Sequence, residues 1–333
     1  MCDCGVKKVA QKKSGNRQIV FNSWRLIKLF KIEKLIREVG QDVRAKRMGI
    51  CGNTIFVKAI KDDRSSVLFE PQLRCKDRVC PVCNSYRSSI LSRKVDKLGK
   101  KMSNPHMITI TANNSNRNNL KKAMQSFKMS SSLLKKNRSW FKKYLKGGIE
   151  HIEVTYKREK GWHVHAHMLV DLALDRKVEN MCFVDGGMYL DPIKKEFEAV
   201  LLKVGLGTVS DIRPVTEGYG KEVSKYALKF GLDMPDECLK EFIVVMKGKR
   251  MVSKFGNCYD NKEDDLEELT EEEQKEYISH GTIQDLVDKT FNGNEVNQEL
   301  IGFVVEAVRI GLIELRYVDE IYSSEVIKEP EKL

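Results

Sequence analysis

A chain of 333 residues, 41% hydrophobic, can bury one substantial core and carry two or three modules. No stretch reaches the roughly 18 uninterrupted apolar residues of a membrane span. Met1 to Arg17 is basic and polar without the apolar centre of a signal peptide, so the expectation is a cytoplasmic protein with no membrane partner. In a reducing compartment its 9 cysteines read as thiols or metal ligands rather than disulfides.

The formal charge of +12 hides an asymmetry. Residues 1–259 hold 52 Lys/Arg against 26 Asp/Glu, a net +26, whereas 260–333 hold 7 against 21, a net −14. So large an excess of positive charge attracts a polyanion and predicts salt-dependent binding to nucleic acid. The acidic run DNKEDDLEELTEEEQKE, 260–276, marks a boundary or a solvated helix. Removing 260–333 is expected to strengthen nonspecific binding by lifting self-competing charge.

In chain order, the first chemistry is thiol chemistry. Cys75-x4-Cys80-x2-Cys83 offers three sulfurs at zinc-like spacing, and Cys51 in the apolar MGICGNTIFV is the best fourth. A closed Cys4 zinc knot and a set of buried free thiols are the two readings. Arg74, Arg78 and Arg87 around CPVC favour zinc. Cys2 and Cys4 are competing ligands, and Cys182, Cys238 and Cys258 stand isolated.

HMITITAN (106–113) alternates as a strand, and 120–145 has the helical spacing of Leu, Met, Phe and Trp. Lys135, Lys136, Arg138, Lys142 and Lys143 give that helix a basic face, with Trp140 and Phe141 read as core. IEVTYK (152–157) and WHVHAHMLV (162–170) are strands, joined by the hairpin signal REKG. A helix over 191–205 opens on an Asp N-cap with Pro at its first position and closes on Gly205. A strand over 208–215 and a helix over 217–230 follow. The order β-α-β-β-α-β plus a helix predicts an α+β fold: a split β-α-β core with a central antiparallel sheet. An N-terminal zinc-knot region (1–103) and an acidic C-terminal region (259–333) flank a central domain, 104–258.

In GWHVHAHMLV three histidines alternate, so a strand points His163, His165 and His167 the same way. If Glu153 lies opposite His165 or His167, carboxylate and imidazoles share a face; a one-residue slip separates them. In register they form a His/His/Glu site for Mn²⁺, Mg²⁺ or another divalent ion, and otherwise a structural stripe. Glu222 and Tyr226, four apart in EVSKY, lie on one helical face beside Lys225 and Lys229. They form either a stabilising pair with a half-buried ring or, near a metal and DNA, a nucleophile for a phosphodiester. A phenol of pKa about 10 then needs nearby ammonium groups or the metal to ionise. EGYGKEVS lacks the glycine spacing and following Ser/Thr of a phosphate loop, so unwinding falls to a partner.

Four segments in this order resemble the single-tyrosine replication initiators (Rep) of bacterial rolling-circle plasmids, in the HUH endonuclease superfamily. They are the cysteine segment CGNTIFVK with LRCKDRVCPVCNSYRSS, MITITANN (107–114), EVTYKREKGWHVHAHMLV (153–170) and EVSKYALK (222–229). The resemblance puts the metal pair at His165 and His167, with Glu153 as third ligand and His163 outside the pair. Ala166 departs from the family's bulky middle residue, and a packing difference is expected from it. Tyr226 is implied as nucleophile and Glu222 as the residue that activates water to terminate.

The implied function is origin-specific nicking and joining of plasmid DNA through a 5′-phosphotyrosine. The partners are double-strand origin DNA with a single-stranded nick site, a host helicase and a host DNA polymerase; self-association into a homo-oligomer is left open. The rivals are a mobilisation relaxase or transposase of the same superfamily, and a non-enzymatic zinc-containing DNA-binding regulator.

Overall fold

The computed structural model describes residues 24–52, 54–60, 63–113, 117–208, 210–224, 234–258, 266–292 and 298–309. Two helices, α1 (Trp24–Glu38) and α2 (Asp42–Gly49), precede the hairpin β1 (Ile55–Ile60) and β2 (Asp63–Pro71). The cysteine loop then leads into α3 (Pro81–Gly99). The central run is β3 (Pro105–Thr111), α4 (Leu120–Lys136), the single turn α5 (Phe141–Tyr144), β4 (Leu145–Lys157), β5 (Gly161–Leu172), β6 (Met181–Val184), β7 (Gly187–Leu190), α6 (Pro192–Lys203), β8 (Asp211–Pro214) and α7 (Tyr219–Val223). It is followed by α8 (Asp236–Val245), β9 (Val252–Gly256), α9 (Glu271–Lys275), β10 (Tyr277–Thr282), α10 (Ile283–Asn292) and α11 (Gln298–Arg309). None of the described helices is long and apolar enough to cross a membrane.

The fold is mixed α and β around a central five-stranded sheet, ordered β8-β3-β5-β4-β9, in which every pairing is antiparallel. Strand alternation gives the sheet two different faces. Even-numbered side chains of β3, β4 and β5 (Ile108, Ile110, Ile152, Val154, Val164, Ala166, Met168) enter one core with Phe127 of α4, Phe197 of α6 and Phe242 of α8. Odd-numbered Met107, Ile149 and Leu169 pack on the other side with Leu91 and Val95 of α3 and Tyr219 and Val223 of α7. Ala166 is fully buried in the core shared with α4, α6 and α8.

Several expected boundaries shift for local reasons. The helix expected over 120–145 ends at Lys136, because Asn137 turns extended and its Oδ1 accepts the Trp140 N–H at 2.9 Å, restarting the chain as α5. Trp140 and Phe141 are buried, as expected. β4 begins seven residues before the expected Ile152. Gly147 and Gly148 mask it, yet a Cβ at Gly148 would lie 2.4 Å from the Leu169 carbonyl of β5, so the close strand approach requires glycine. The β6–β7 hairpin was missed although Asp185-Gly186, both at positive φ, is a two-residue turn signal. α6 matches its reading: the Asp191 side chain accepts the Ile193 N–H at 2.9 Å, with Pro at the first helical position. Of the helix expected over 217–230, only Tyr219–Val223 lies among described helical residues.

The acidic part of the chain returns to the N-terminal part. β10 pairs with β1, which pairs with β2, and Val57, Phe69, Leu286, Phe303 and Val304 form their shared core.

Buried His106 at the start of β3 donates from Nδ1 to the Asn104 carbonyl and accepts the Val178 N–H on Nε2, both at 3.0 Å. Only a neutral ring makes both bonds, and burial holds its pKa below the ordinary value. The unfolded ring titrates near about 6.5, so its contribution is complete above that pH. On acidification the unfolded chain takes up a proton that the folded chain refuses, costing up to about 1.4 kcal/mol per pH unit below about 6.5. Urea unfolding between pH 7.5 and 5 should show this loss, and His106→Gln should flatten it; an unchanged slope contradicts the assignment.

Candidate functional site

Register across β3, β5 and β4 arranges the odd-numbered face in rows. Met107, Leu169 and Ile149 form an apolar row. Next come Thr109, His167 and His151, then Thr111, His165 and Glu153, and last His163 opposite Thr155. The cover of α3 and α7 packs on the apolar row, and the chemistry begins one row beyond it.

Glu153 stands opposite His165, as the sequence reading required. Its fully buried Oε2 lies 3.2 Å from His165 Nε2 and 3.4 Å from His167 Nε2, and the imidazoles are 13% and 15% exposed. One cation about 2.1 Å from each donor would set donors ~3.0 to ~3.4 Å apart, so these residues fit a divalent ion. The buried carboxylate also demands positive charge close by. Thr109 Oγ1 lies 3.1 Å from His167 Nδ1, fixing the ring so that Nε2 faces Glu153. His163 stacks beside His165 with ring centroids 5.0 Å apart and stays outside the group whose donor atoms lie within 4.8 Å of one another. Burial, then His165 and Lys157, holds its pKa down.

Sequence reasoning missed His151 and Thr109, although period 2 put His151 on the face of Glu153 and Thr109 on a neighbouring strand. His151 is buried and hydrogen-bonded through Nδ1 to the Val223 carbonyl of α7; a carbonyl only accepts, so Nδ1 carries the proton. Burial holds its pKa below the ordinary imidazole value. α7 is tied again by Ser88 Oγ of α3, which donates to the Ser224 carbonyl, and by Asp96 Oδ1, which accepts the Gly220 N–H at 2.8 Å. A Cβ at Gly220 would lie 2.1 Å from the Ser92 carbonyl, so glycine lets α7 sit directly on α3. Glu222 belongs to α7. Lys225, Tyr226 and Lys229 lie outside the described residues.

The four sulfurs Cys51, Cys75, Cys80 and Cys83 are buried and converge. Sγ separations are 3.5 Å for Cys51–Cys83 and 3.6 Å for Cys75–Cys83 and Cys80–Cys51. That is far from the ~2.05 Å of a disulfide and close to the ~3.8 Å edge of a tetrahedron with ~2.3 Å metal–sulfur bonds. Hydrogen bonds from the other three thiols hold Cys83 far below the ordinary thiol pKa, whereas burial drives Cys80 well above it. Cys51 is held down as well and Cys75 up, so the four thiols shift in opposite directions; a bound cation would stabilise all four as thiolates. Arginines brace the loop: Arg44 pairs with Asp77 through two bonds, Arg47 donates to the Cys75 carbonyl, and Arg87 donates to the Lys76 and Asp77 carbonyls. Lys76 has a φ of 56°, a left-handed conformation that this bracing maintains. Cys182, Cys238 and Cys258 stand outside the cluster, and Cys2 and Cys4 lie outside the described residues.

An antiparallel sheet with a carboxylate–imidazole metal site and an attached Cys4 cluster defines a candidate metalloprotein of mixed α and β class, and the sequence comparisons make the class specific. A family model described as "Replication protein" matches residues 67–292, so the chain belongs to the replication-protein family. "Protein rep" of Streptococcus pneumoniae serotype 2 (strain D39 / NCTC 7466) is 27% identical over 225 residues, covering 62% of this chain and 68% of that one. "Protein rep" of Lentilactobacillus hilgardii is 27% identical over 133 residues, covering 38% of this chain and 41% of that one. No solved structure matches. The resemblance to plasmid replication initiators is borne out at the level of family.

Two measurements test these centres. Purified, reduced protein should hold about one tightly bound zinc, and stripping it should unfold the region around α3; metal analysis finding none refutes a zinc cluster. In calorimetric titration with Mn²⁺, His165→Ala and His167→Ala should abolish binding at the Glu153 site. Thr109→Val, which keeps the shape and loses the hydrogen bond, should weaken it by about 10- to 100-fold. Wild-type affinity in both alanine variants removes the site.

Proposed function

We propose that this protein initiates rolling-circle replication of a bacterial plasmid in the cytoplasm, nicking and joining one strand at the double-strand origin as an HUH endonuclease. The carrying observation is the group Glu153, His165 and His167 on one sheet face, one row from His151, which holds the helix leading to Tyr226. β3 and β4 run parallel with β5 inserted between them, and α4 connects them, which supports the split β-α-β core of that superfamily. We assign nicking and joining to 104–258, the zinc knot to 1–103, and the acidic C-terminal region to 259–333. Family membership favours replication over mobilisation, transposition or regulation without catalysis.

Glu153, His165 and His167 would hold the catalytic Mn²⁺ or Mg²⁺, and the four cysteines would hold zinc. The divalent ion supplies charge stabilisation at a nonbridging oxygen of the scissile phosphate. Tyr226 attacks the phosphorus in line, and Lys225 and Lys229 favour its phenolate. A P–O bond forms to the tyrosine as the bond to the 3′ oxygen breaks; that oxygen takes up a proton. The products are a 5′-phosphotyrosine and a 3′-hydroxyl, which primes a host DNA polymerase while a host helicase opens the duplex. At termination Glu222 accepts a proton from the water that releases the last strand.

Tyr226→Phe keeps the ring and removes the attacking oxygen, so nicking and the covalent adduct should both vanish on a supercoiled origin plasmid. Glu222→Ala should still nick and form the adduct yet fail to stop after one circuit, giving products longer than one plasmid length. If Glu222→Ala, folded and metal-loaded, blocks the first nick as completely as Tyr226→Phe, Glu222 activates the nucleophile or supports structure instead of terminating.

A further inference from the structure

The acidic segment after residue 265 lies on a row of cations. Arg74 meets Glu268 at 2.7 Å, Arg78 meets Glu267, Arg93 meets Glu276 at 2.8 Å, and Lys94 meets Glu273 at 3.0 Å. Lys97 lies 4.0 Å from Glu276 and is half exposed. Arg74 and Arg78 belong to the loop before α3, and Arg93, Lys94 and Lys97 to α3 itself, so the cations follow the chain from the cysteine loop into the helix. Lys94 and Glu267 are buried, and Arg74, Arg78 and Arg93 keep only about a fifth of their side-chain surface exposed, so the acidic segment covers most of this cationic surface.

Two observations say what the ridge faces. A small cleft is lined by Arg78, Arg87, Ser88, His151, Ser224 and Glu267. Ser224 precedes Tyr226 by two residues, and His151 pairs with His167 across the strands. The Glu267 carboxylate therefore sits on Arg78 beside the candidate active site, where a phosphate of the same charge would fit. Secondly, α9 has no buried residue. Its helix is held by its own Thr270 capping box and by ion pairs with α3, of which the ion pairs can be exchanged for DNA phosphates while Leu266, Leu269 and Tyr277 keep the flanking chain packed.

We propose that Arg74, Arg78, Arg93, Lys94 and Lys97 form a binding ridge for DNA phosphates leading to the active site, and that Glu267, Glu268, Glu273 and Glu276 occupy it as an intramolecular competitor. This rests on DNA being the substrate. An entering strand exchanges carboxylates for phosphates, pair by pair, and the free protein avoids an uncovered cationic ridge that would hold any polyanion. Deletion of the segment is an unsuitable test, because β10 completes the sheet with β1.

Full-length protein is titrated against a 5′-labelled single strand and a duplex of arbitrary sequence, without an origin, across a salt series. Glu267→Gln, Glu268→Gln, Glu273→Gln and Glu276→Gln are combined; Gln at 273 preserves the capping box. The control carries the same change of charge at exposed acids outside these pairs: Asp175→Asn, Glu179→Gln, Glu271→Gln and Glu272→Gln. The combined variant should bind at least about tenfold tighter than the control at ~0.15 M salt. Its log–log salt slope on single strand should be steeper by about 3, as for four more phosphates neutralised. Adding Arg93→Gln and Lys97→Gln should erase most of that gain. A gain on either DNA form supports the ridge and identifies the strand it takes. Equal affinity of combined variant and control on both forms overturns it. If the four-fold variant melts early, the pair Glu268→Gln and Glu276→Gln against Glu271→Gln and Glu272→Gln reads the same comparison. The readout needs no nicking, so failure here is distinct from failure of Tyr226 as nucleophile.

Discussion

The pairing register of β4 with β5 is the constraint on which the rest depends. Trp162, Val164, Met168 and Val170 are all buried on the helix side of β5, and each such side chain contributes about 1.5–3 kcal/mol. A one-residue slip would turn them to the opposite face at a cost on the order of 10 kcal/mol, comparable with the whole stability of a domain. The hydrophobic effect on one face therefore sets the positions of Glu153, His165 and His167 on the other. Trp162 adds a directional lock through Nε1, which donates to Glu241 Oε2 at 2.8 Å. These candidate ligands need no apolar contacts of their own, because their backbone is positioned from behind.

This separation of duties explains what could be read from the sequence. Alternating His163, His165 and His167 fixed their common face by period alone, and the hairpin signal REKG brought Glu153 near. The exact opposition of Glu153 and His165 depended on loop geometry, so two positions were open before the fold was known. Thr109 and His151 were legible in period but carried no chemical signal: a threonine in a strand is ordinary, and a histidine at a strand centre is usually core. Their roles follow from β3 lying next to β5, and from α7 ending over β4. Neither juxtaposition has a local signature. The cysteine quartet was legible because three of its members sit close in sequence and zinc chemistry restricts spacing. By contrast, the return of β10 to β1 was hidden, since an acidic stretch reads as solvated and its strand partner lies over 200 residues away.

Charge acts at two depths here. Glu153 is wholly buried, so its negative charge has to be met at short range, by the imidazoles or by a cation they hold. Glu268 and Glu276 meet Arg74 and Arg93 at partly exposed positions, where water and salt reach the pair, whereas Glu267 and Lys94 are buried within the same set. The first kind of pairing fixes a site, and the second can exchange with other anions. The +26 and −14 parts of the sequence are thus partly brought against each other in the fold, so formal net charge overstates the positive surface available to a polyanion.

α3 joins the cysteine cluster to the candidate active site. Its first turn carries Cys80 as N-cap and Cys83, whose N–H lies 3.5 Å from Cys80 Sγ. Its later turns supply Ser88 and Asp96, which hold the backbone of α7, while Leu91 and Val95 pack below the sheet. A helix of 19 residues spans about 28 Å at ~1.5 Å per residue, and a small rotation at its start becomes a larger displacement along it. A metal closing the four thiolates would therefore do more than stabilise a loop. It would fix the entry angle of the helix on which α7 rests, and so the placement of α7 beside the row of His151 and His167. That coupling requires no contact between the two candidate metal centres: a stiff helix, two hydrogen bonds and the glycine at 220 suffice to carry it.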